Sequence, residues 1–221
     1  MDRLDIWTNY KSKVQGSREV LLWPWLLSNA KSFKGVGVDL GCGDGEYTER
    51  VAALAGDEVV GFDSDLALIN IARKKSGAKT RYICADITTD VIRSVFAEAS
   101  FAFSVCCFPH ISDELCNQLI RNLCSDLKVP KRIAIVVPHI LWAKNNYENV
   151  EAIASGIKAD ARFGGRQWFR EQDWYINTFL NYGISCESVL DLIIPDDPRL
   201  EKRYRDNAGS PLFLAMTFGE R

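Results

Sequence analysis

Three carboxylates close three successive apolar runs, and glycines crowd the first of them. In Val36-Gly-Val-Asp-Leu-Gly-Cys-Gly-Asp-Gly45, Asp39 precedes a Gly-x-Gly-x-Gly turn; Asp63 ends Val59-Val-Gly-Phe-Asp, 22 residues after Gly41; and Asp86 sits in Cys84-Ala-Asp-Ile. Gly41 and Gly43 let backbone approach a ligand with no Cβ in the way. A carboxylate such as Asp63 can accept from both hydroxyls of a ribose. Together these are the means by which a doubly wound sheet presents backbone and acceptors to a nucleotide. Glu46 stands where a dinucleotide fingerprint wants its third glycine, which argues against a dehydrogenase. Competing structural roles are a turn cap for Asp39, a cap of the helix near Asp65 for Asp63, and an N-cap of a helix from Thr88 for Asp86. His110 and His139, the chain's two histidines, each come after a predicted strand and are the candidates for moving a proton. Cys106 and Cys107, in an apolar strand, read as packing thiols rather than nucleophiles.

The elements that must position these groups are set by the hydropathy pattern. Short runs continuous in Val, Ile and Phe predict strands over Val36 to Leu40, Glu58 to Asp63, Thr80 to Asp86, Phe101 to Cys106 and Arg132 to Pro138, covered on both faces. Between them, apolar residues at three- and four-residue spacing predict helices over Glu46 to Ala55, Leu66 to Lys75, Thr88 to Glu98 and Asp113 to Lys128. Such alternation implies right-handed crossovers, a parallel sheet, and a ligand crevice at the carboxyl ends of the strands. From about His139 to Gln172 the chain is aromatic, polar and Gly-bearing, with no regular element assigned. A helix over Asp173 to Tyr182 then stops at Gly183, and strands over Cys186 to Ile194 and Pro211 to Gly219 imply an antiparallel finish.

Composition bounds the rest. The 221 residues, 47% hydrophobic, suit a single domain that needs no staples. A net charge of −2 with scattered Lys and Arg offers no footprint for nucleic acid. The seven cysteines include no C-x-x-C pair and read as buried thiols of a reducing compartment. The start of the chain lacks a basic segment leading into an apolar one. The longest apolar run, Val20 to Leu27, contains Pro24 and falls short of the roughly 20 residues that span a bilayer. The expectation is therefore a cytoplasmic protein with no membrane partner.

On the glycine motif, the acids at successive strand ends and the final strand pair, the chain resembles the class I S-adenosylmethionine-dependent methyltransferases over about residues 18 to 221. It is most similar to small-molecule enzymes with an N-terminal helical cap, here residues 1–35, and an insertion after the fifth strand, here 139–172. The resemblance implies an α/β fold: a three-layer, doubly wound, seven-stranded sheet of order 3-2-1-4-5-7-6, mostly parallel, with the last strand antiparallel. It implies S-adenosyl-L-methionine as cofactor. Gly41 and Gly43 would face it; Asp39 would interact with its methionine end, often through water; Asp63 and Ser64 would hold the ribose; Asp86 and Ile87 the adenine; the backbone at Cys106 the methionyl part; and Arg18 the carboxylate.

Acceptor chemistry is read from the fourth strand and the residues after it. Phe101-Ala-Phe-Ser-Val-Cys-Cys-Phe-Pro-His-Ile111 lacks the Asn/Asp-Pro-Pro-Tyr/Phe motif of enzymes that methylate amino groups of DNA or glutamine. A small-molecule acceptor is expected instead. Transfer from a sulfonium is a direct displacement needing neither metal nor covalent enzyme intermediate. A base, His110 or His139, is required only where the nucleophile carries its proton. Tyr10, Trp142, Trp168 and Tyr175, from the cap and the segment after the fifth strand, are the candidate acceptor contacts; aromatic faces there could exclude water and favour the sulfonium. Two other readings share the same cofactor site. One is an enzyme acting on S-adenosylmethionine alone, cyclising its methionyl chain with release of methylthioadenosine. The other is a cofactor-binding partner subunit without catalysis. The sequence leaves oligomeric state open.

Overall fold

The protein is seen in a computed structural model that describes residues 15–55, 57–89, 92–160 and 165–220. Ten strands are present among them: β1 Gly37–Leu40, β2 Val59–Asp63, β3 Thr80–Cys84, β4 Phe101–Val105, β5 Arg132–Pro138, β6 Glu148–Ile153, β7 Gly156–Asp160, β8 Arg166–Arg170, β9 Ser185–Ile193 and β10 Pro211–Gly219. Seven form one sheet in the order β3-β2-β1-β4-β5-β10-β9, parallel from β3 through β5, with β10 antiparallel to both neighbours. With β9 and β10 as the sixth and seventh strands, this is the expected order.

Helices cover both faces. A π-helical turn, Arg18–Leu22, runs into α1 Trp23–Ala30, with Pro24 in the first turn of α1. The others are α2 Glu46–Ala55, α3 Leu66–Lys75, α4 Arg93–Phe96, α5 Asp113–Asp126, α6 Ile140–Asn146, α7 Gln172–Asn181 and α8 Lys202–Arg205. Strand periodicity sorts the core in two. Ala102, Ile133, Ile135, Leu214 and Met216 pack with Phe96 of α4, Leu119 and Leu123 of α5, and Phe179 of α7. Phe101, Phe103, Ala134, Val136 and Ala215 face the other way, onto Trp25 and Leu26 of α1 and Val51 and Ala52 of α2. Full burial of each large side chain contributes about 1.5–3 kcal/mol. The described part of the expected cap is thus a layer on the sheet, laid beside α2.

Two expectations are corrected. The helix over Thr88 to Glu98 is reduced, among the described residues, to the short α4; ahead of it Asp86 Oδ1 accepts from the Thr88 N–H at 2.9 Å and from Thr88 Oγ1 at 2.8 Å in a turn. The segment 139–172, read as irregular, contains α6 and an antiparallel sheet β6-β7-β8. That sheet is seated on α6 through Phe169 against Ile140 and Ala143.

Candidate functional site

The carboxyl ends of β1, β2, β3 and β4 open onto a cavity of about 320 Å³ lined by Gly41, Asp63, Ser64, Asp86, Ile87, Thr88, Cys107, His110, Ile111, Ser112, Leu115 and Trp168. Seven of the residues singled out in the sequence are in that wall: Gly41, Asp63, Ser64, Asp86, Ile87, His110 and Trp168. One side is the nucleotide-type set; the opposite side is the turn after β4, the start of α5 and one residue of the inserted sheet.

Gly41 shows why this wall needs glycine. Its φ is +76°, and a Cβ there would collide with the Cys107 side chain. Asp63 is the hub of the turn: its Oδ2 accepts from the Gly43 N–H at 2.9 Å and its Oδ1 from the Asp65 N–H at 2.9 Å. Burial pushes its pKa up and those backbone donors pull it down. The helix-capping role belongs to Asp65, whose Oδ1 accepts from Ala67 and Leu68 N–H of α3. With the Ser64 N–H as a third backbone donor, the carboxylate still has lone-pair capacity left for a ligand hydroxyl. Asp86 spends Oδ1 on Thr88, and Ile87 is 7% exposed, offering an apolar surface beside it.

The remaining cofactor candidates lie behind the glycine turn. Asp39 is 2% exposed and turned toward α2, accepting from Thr48 Oγ1 at 2.6 Å. Desolvation, with Asp63 nearby, raises its pKa to about 7, the Thr48 bond opposing. Arg18 is buried; its Nε donates to Tyr47 Oη at 3.2 Å, its Nη2 lies 3.4 Å from Glu46 Oε2, and its guanidinium stacks 4.7 Å from the Tyr47 ring centroid. Cys106 has a φ of +59°, a left-handed conformation uncommon for a residue with a Cβ, and donates its N–H to Val136 O at 2.8 Å. Burial pushes its thiol up to about 12, and that of Cys107 higher still, so neither is a thiolate nucleophile.

On the acceptor side, His110 ends a one-turn 3₁₀-helix, Phe108–His110. His110 is exposed to solvent, and the desolvation its neighbours do impose lowers its pKa below the ordinary imidazole value, which leaves it neutral at neutral pH. Gln167 Nε2 lies 3.1 Å from Nδ1 and 2.9 Å from Nε2 of that ring. Arg170, with a side chain 0% exposed, ties β8 to the same turn: Nη1 donates to Phe108 O at 3.1 Å, Nη2 to Ile111 O at 2.5 Å, and Nε to Asp113 Oδ1 at 2.9 Å. Sequence reasoning missed Gln167, Arg170 and Leu115. Leu115 belongs by spacing to the α5 core stripe yet is 39% exposed and faces the cavity at the helix start. The adjacency of Gln167 to Trp168 was the one signal for the first; a lone arginine among aromatics gave none for the second.

Other candidates do not line this cavity. His139 is the N-cap of α6: its Nδ1 accepts from the Leu141 N–H at 3.1 Å and its Nε2 lies 3.4 Å from Asp191 Oδ1, so both ring nitrogens are committed to structure. Trp142 is buried in the α1–α2 side of the core, 5.6 Å from the Tyr204 ring. Tyr175 is fully buried, 6.3 Å from the Phe108 ring, and supports the 3₁₀ turn from beneath. Apolar periodicity put both in the core rather than at the crevice. Gly43 contributes its N–H to Asp63 rather than to the wall, and Tyr10 lies outside the described residues.

Residues 38–129 match a family model described as a methyltransferase domain. No curated protein matches the chain. Among solved structures, it is similar to an S-adenosylmethionine-dependent methyltransferase from Mesorhizobium loti, with a TM-score of 0.71 at 18% identity, over 90% of this chain and 97% of that one. It is similar to Burkholderia thailandensis 1,6-didemethyltoxoflavin-N1-methyltransferase with bound 1,6-didemethyltoxoflavin and S-adenosylhomocysteine, with a TM-score of 0.61 at 15% identity, over 96% and 86%. Magnesium protoporphyrin IX methyltransferase from Synechocystis PCC 6803 with bound S-adenosylhomocysteine gives a TM-score of 0.65 at 13% identity, over 99% and 94%. Identities this low establish a shared fold.

Proposed function

We propose, from the premise that the chain carries a methyltransferase domain on the class I S-adenosylmethionine-dependent methyltransferase fold, that it transfers a methyl group from S-adenosyl-L-methionine to a small-molecule acceptor. The observation that carries this reading is one cavity walled by Gly41, Asp63, Asp86 and Ile87 on one side and by His110, Leu115 and Trp168 on the other. The fit to the cofactor rests on that donor set: backbone at a glycine that admits no Cβ, a carboxylate with lone pairs to spare, and a second carboxylate beside an apolar surface. Asp63 with Ser64 would hold the ribose, Asp86 and Ile87 the adenine, Arg18 the carboxylate, and Asp39 and the backbone of Cys106 the methionyl end, with Gly43 acting only through its bond to Asp63.

Once bound, the cofactor supplies an electrophilic methyl on a sulfonium. His110, neutral, takes the proton of an acceptor O–H or N–H as the acceptor's lone pair forms the new bond to carbon, and later returns that proton to solvent. The electron pair of the carbon–sulfur bond would remain with sulfur, so the acceptor's proton is the one charge His110 has to move. Ile111, Leu115 and Trp168 shield this end from water and offer a flat, apolar seat. The side chains that line that side, His110, Ile111, Ser112, Leu115 and Trp168, carry no formal charge at neutral pH and suit a small planar acceptor better than a polyanion. The seven cysteines are all free, as a cytosolic setting permits.

The test is incubation with S-adenosyl-L-methionine alone and then with a panel of protic aromatic acceptors, products being separated by chromatography. S-adenosylhomocysteine formed only when an acceptor is present supports the reading. Methylthioadenosine released above the uncatalysed rate without any acceptor overturns it in favour of cyclisation. Absence of S-adenosylhomocysteine binding in calorimetry overturns both.

A further inference from the structure

The inserted sheet reaches the cavity through one strand, and β8 does more there than close a wall. Gln167 is 8% exposed, and its single amide nitrogen is near both nitrogens of the His110 ring. The amide nitrogen carries two N–H donors, but a neutral imidazole has one donor and one acceptor nitrogen, and an amide this close to both lies over the ring, in line with neither. Shifted toward either nitrogen, the carboxamide donates to it or, turned over, accepts from it, and either arrangement sets which nitrogen keeps the proton. Three residues along, Arg170 holds the carbonyls of Phe108 and Ile111, which flank His110 on both sides in sequence, so the backbone that carries the ring is fixed by the strand that carries the amide.

We propose that Gln167 is a positioning residue that holds His110 in one neutral tautomer, with its free lone pair turned to the acceptor. The inference rests on the reading of His110 as the acceptor's base. It makes the docking of β8 a condition of catalysis: the cofactor side of the cavity is complete without the inserted sheet, and the proton-accepting side is not. The charged groups around the ring are Asp63 and Asp86 across the cavity and the Asp113–Arg170 pair at the start of α5. Against that fixed background, exchange of the neutral amide for a carboxylate is the clean perturbation.

The experiment is a ¹⁵N NMR titration of histidine-labelled full-length protein, with His139→Asn assigning the chain's two imidazoles. In the parent protein His110 is expected as a single neutral tautomer at pH 7. Gln167→Glu should raise its titration midpoint by at least one pH unit, a tenfold gain in proton affinity. Gln167→Leu should leave the ring neutral but mix its tautomers. An unchanged midpoint in Gln167→Glu together with an unchanged tautomer in Gln167→Leu overturns the proposal. Where Gln167→Glu fails to fold, Gln167→Asn, too short to reach the ring, must reproduce the tautomer mixing of Gln167→Leu, and a retained single tautomer overturns it equally. Calorimetry with S-adenosylhomocysteine on the same samples separates the two levels: absence of binding in the parent protein sinks the methyltransferase reading, whereas intact binding with an indifferent His110 sinks only the role of Gln167.

Discussion

At the scale of single residues, burial decides which carboxylates are bases and which are ligands' partners. Asp39 illustrates the cost. Its pKa rises from an ordinary 3.8 to about 7 because its one hydrogen-bond donor, Thr48, does not replace the water lost. Between those values the folded state keeps a proton that the unfolded chain has released, so stability falls as pH rises through this window, by up to about 4 kcal/mol. Asp39→Asn keeps an acceptor for Thr48 and removes the charge. It is expected to melt above the parent at pH 8 and to match it near pH 4; equal melting temperatures at pH 8 would refute the assignment. The sequence made the three acids legible because each ends an apolar run, a pattern that few other arrangements produce. It left their partners illegible: that Asp65 and not Asp63 caps α3, or that His139 caps α6, depends on side-chain directions at the ends of elements, which spacing does not encode.

At the scale of elements, long apolar stripes were legible, whereas short stripes such as Ile157 and Ala159 of β7, and exposed strands, were not. α5 was legible from Leu119, Leu123 and their spacing, whereas β6 is exposed over nearly its whole length and carries no alternation to read. Termination by glycine was legible too. At the end of α7, Gly183 has a φ of +80°, its N–H donates to Leu180 O at 3.0 Å, and the Ile184 N–H reaches back to Phe179 O at 3.1 Å. No atom lies within 4 Å of a Cβ built there, so Gly183→Ala probes backbone strain alone. Chemical denaturation should show a loss of about 1 kcal/mol, and a neutral result would mean the cap relaxes. Arg170→Ala is expected to cost more. It strips two buried carbonyls and Asp113 of their donor and detaches β8 from the 3₁₀ turn, for a loss of about 3 kcal/mol or more in the same assay. Arg170→Lys, with charge but no planar fork, should recover only part of it.

At the scale of the whole molecule, the site is assembled from loops at one end of a sheet whose strands are far apart in sequence: Gly41 comes after β1, Asp63 ends β2, Asp86 comes after β3, His110 after β4, and Trp168 belongs to a second sheet. A ligand that bridges these loops binds only the folded chain, so it must stabilise the molecule as a unit. At a hundredfold excess over its dissociation constant, S-adenosylhomocysteine should add about 2.7 kcal/mol. For a chain of this length that corresponds to a rise in melting temperature of about 5–10 °C. Asp63→Asn keeps the size of the side chain and one oxygen acceptor for the turn but loses the charge-assisted bonds to the ribose, worth about 1.5–3 kcal/mol, or roughly 10- to 100-fold in affinity. At the same ligand concentration its thermal shift should therefore shrink to between about one half and about one seventh of the parent's. The comparison must be of shifts rather than of melting temperatures, since Asp63 also secures the Gly43 and Asp65 N–H groups and its loss lowers the unliganded protein as well. Equal shifts in the two proteins would place the ligand elsewhere than across the ends of β1, β2 and β3.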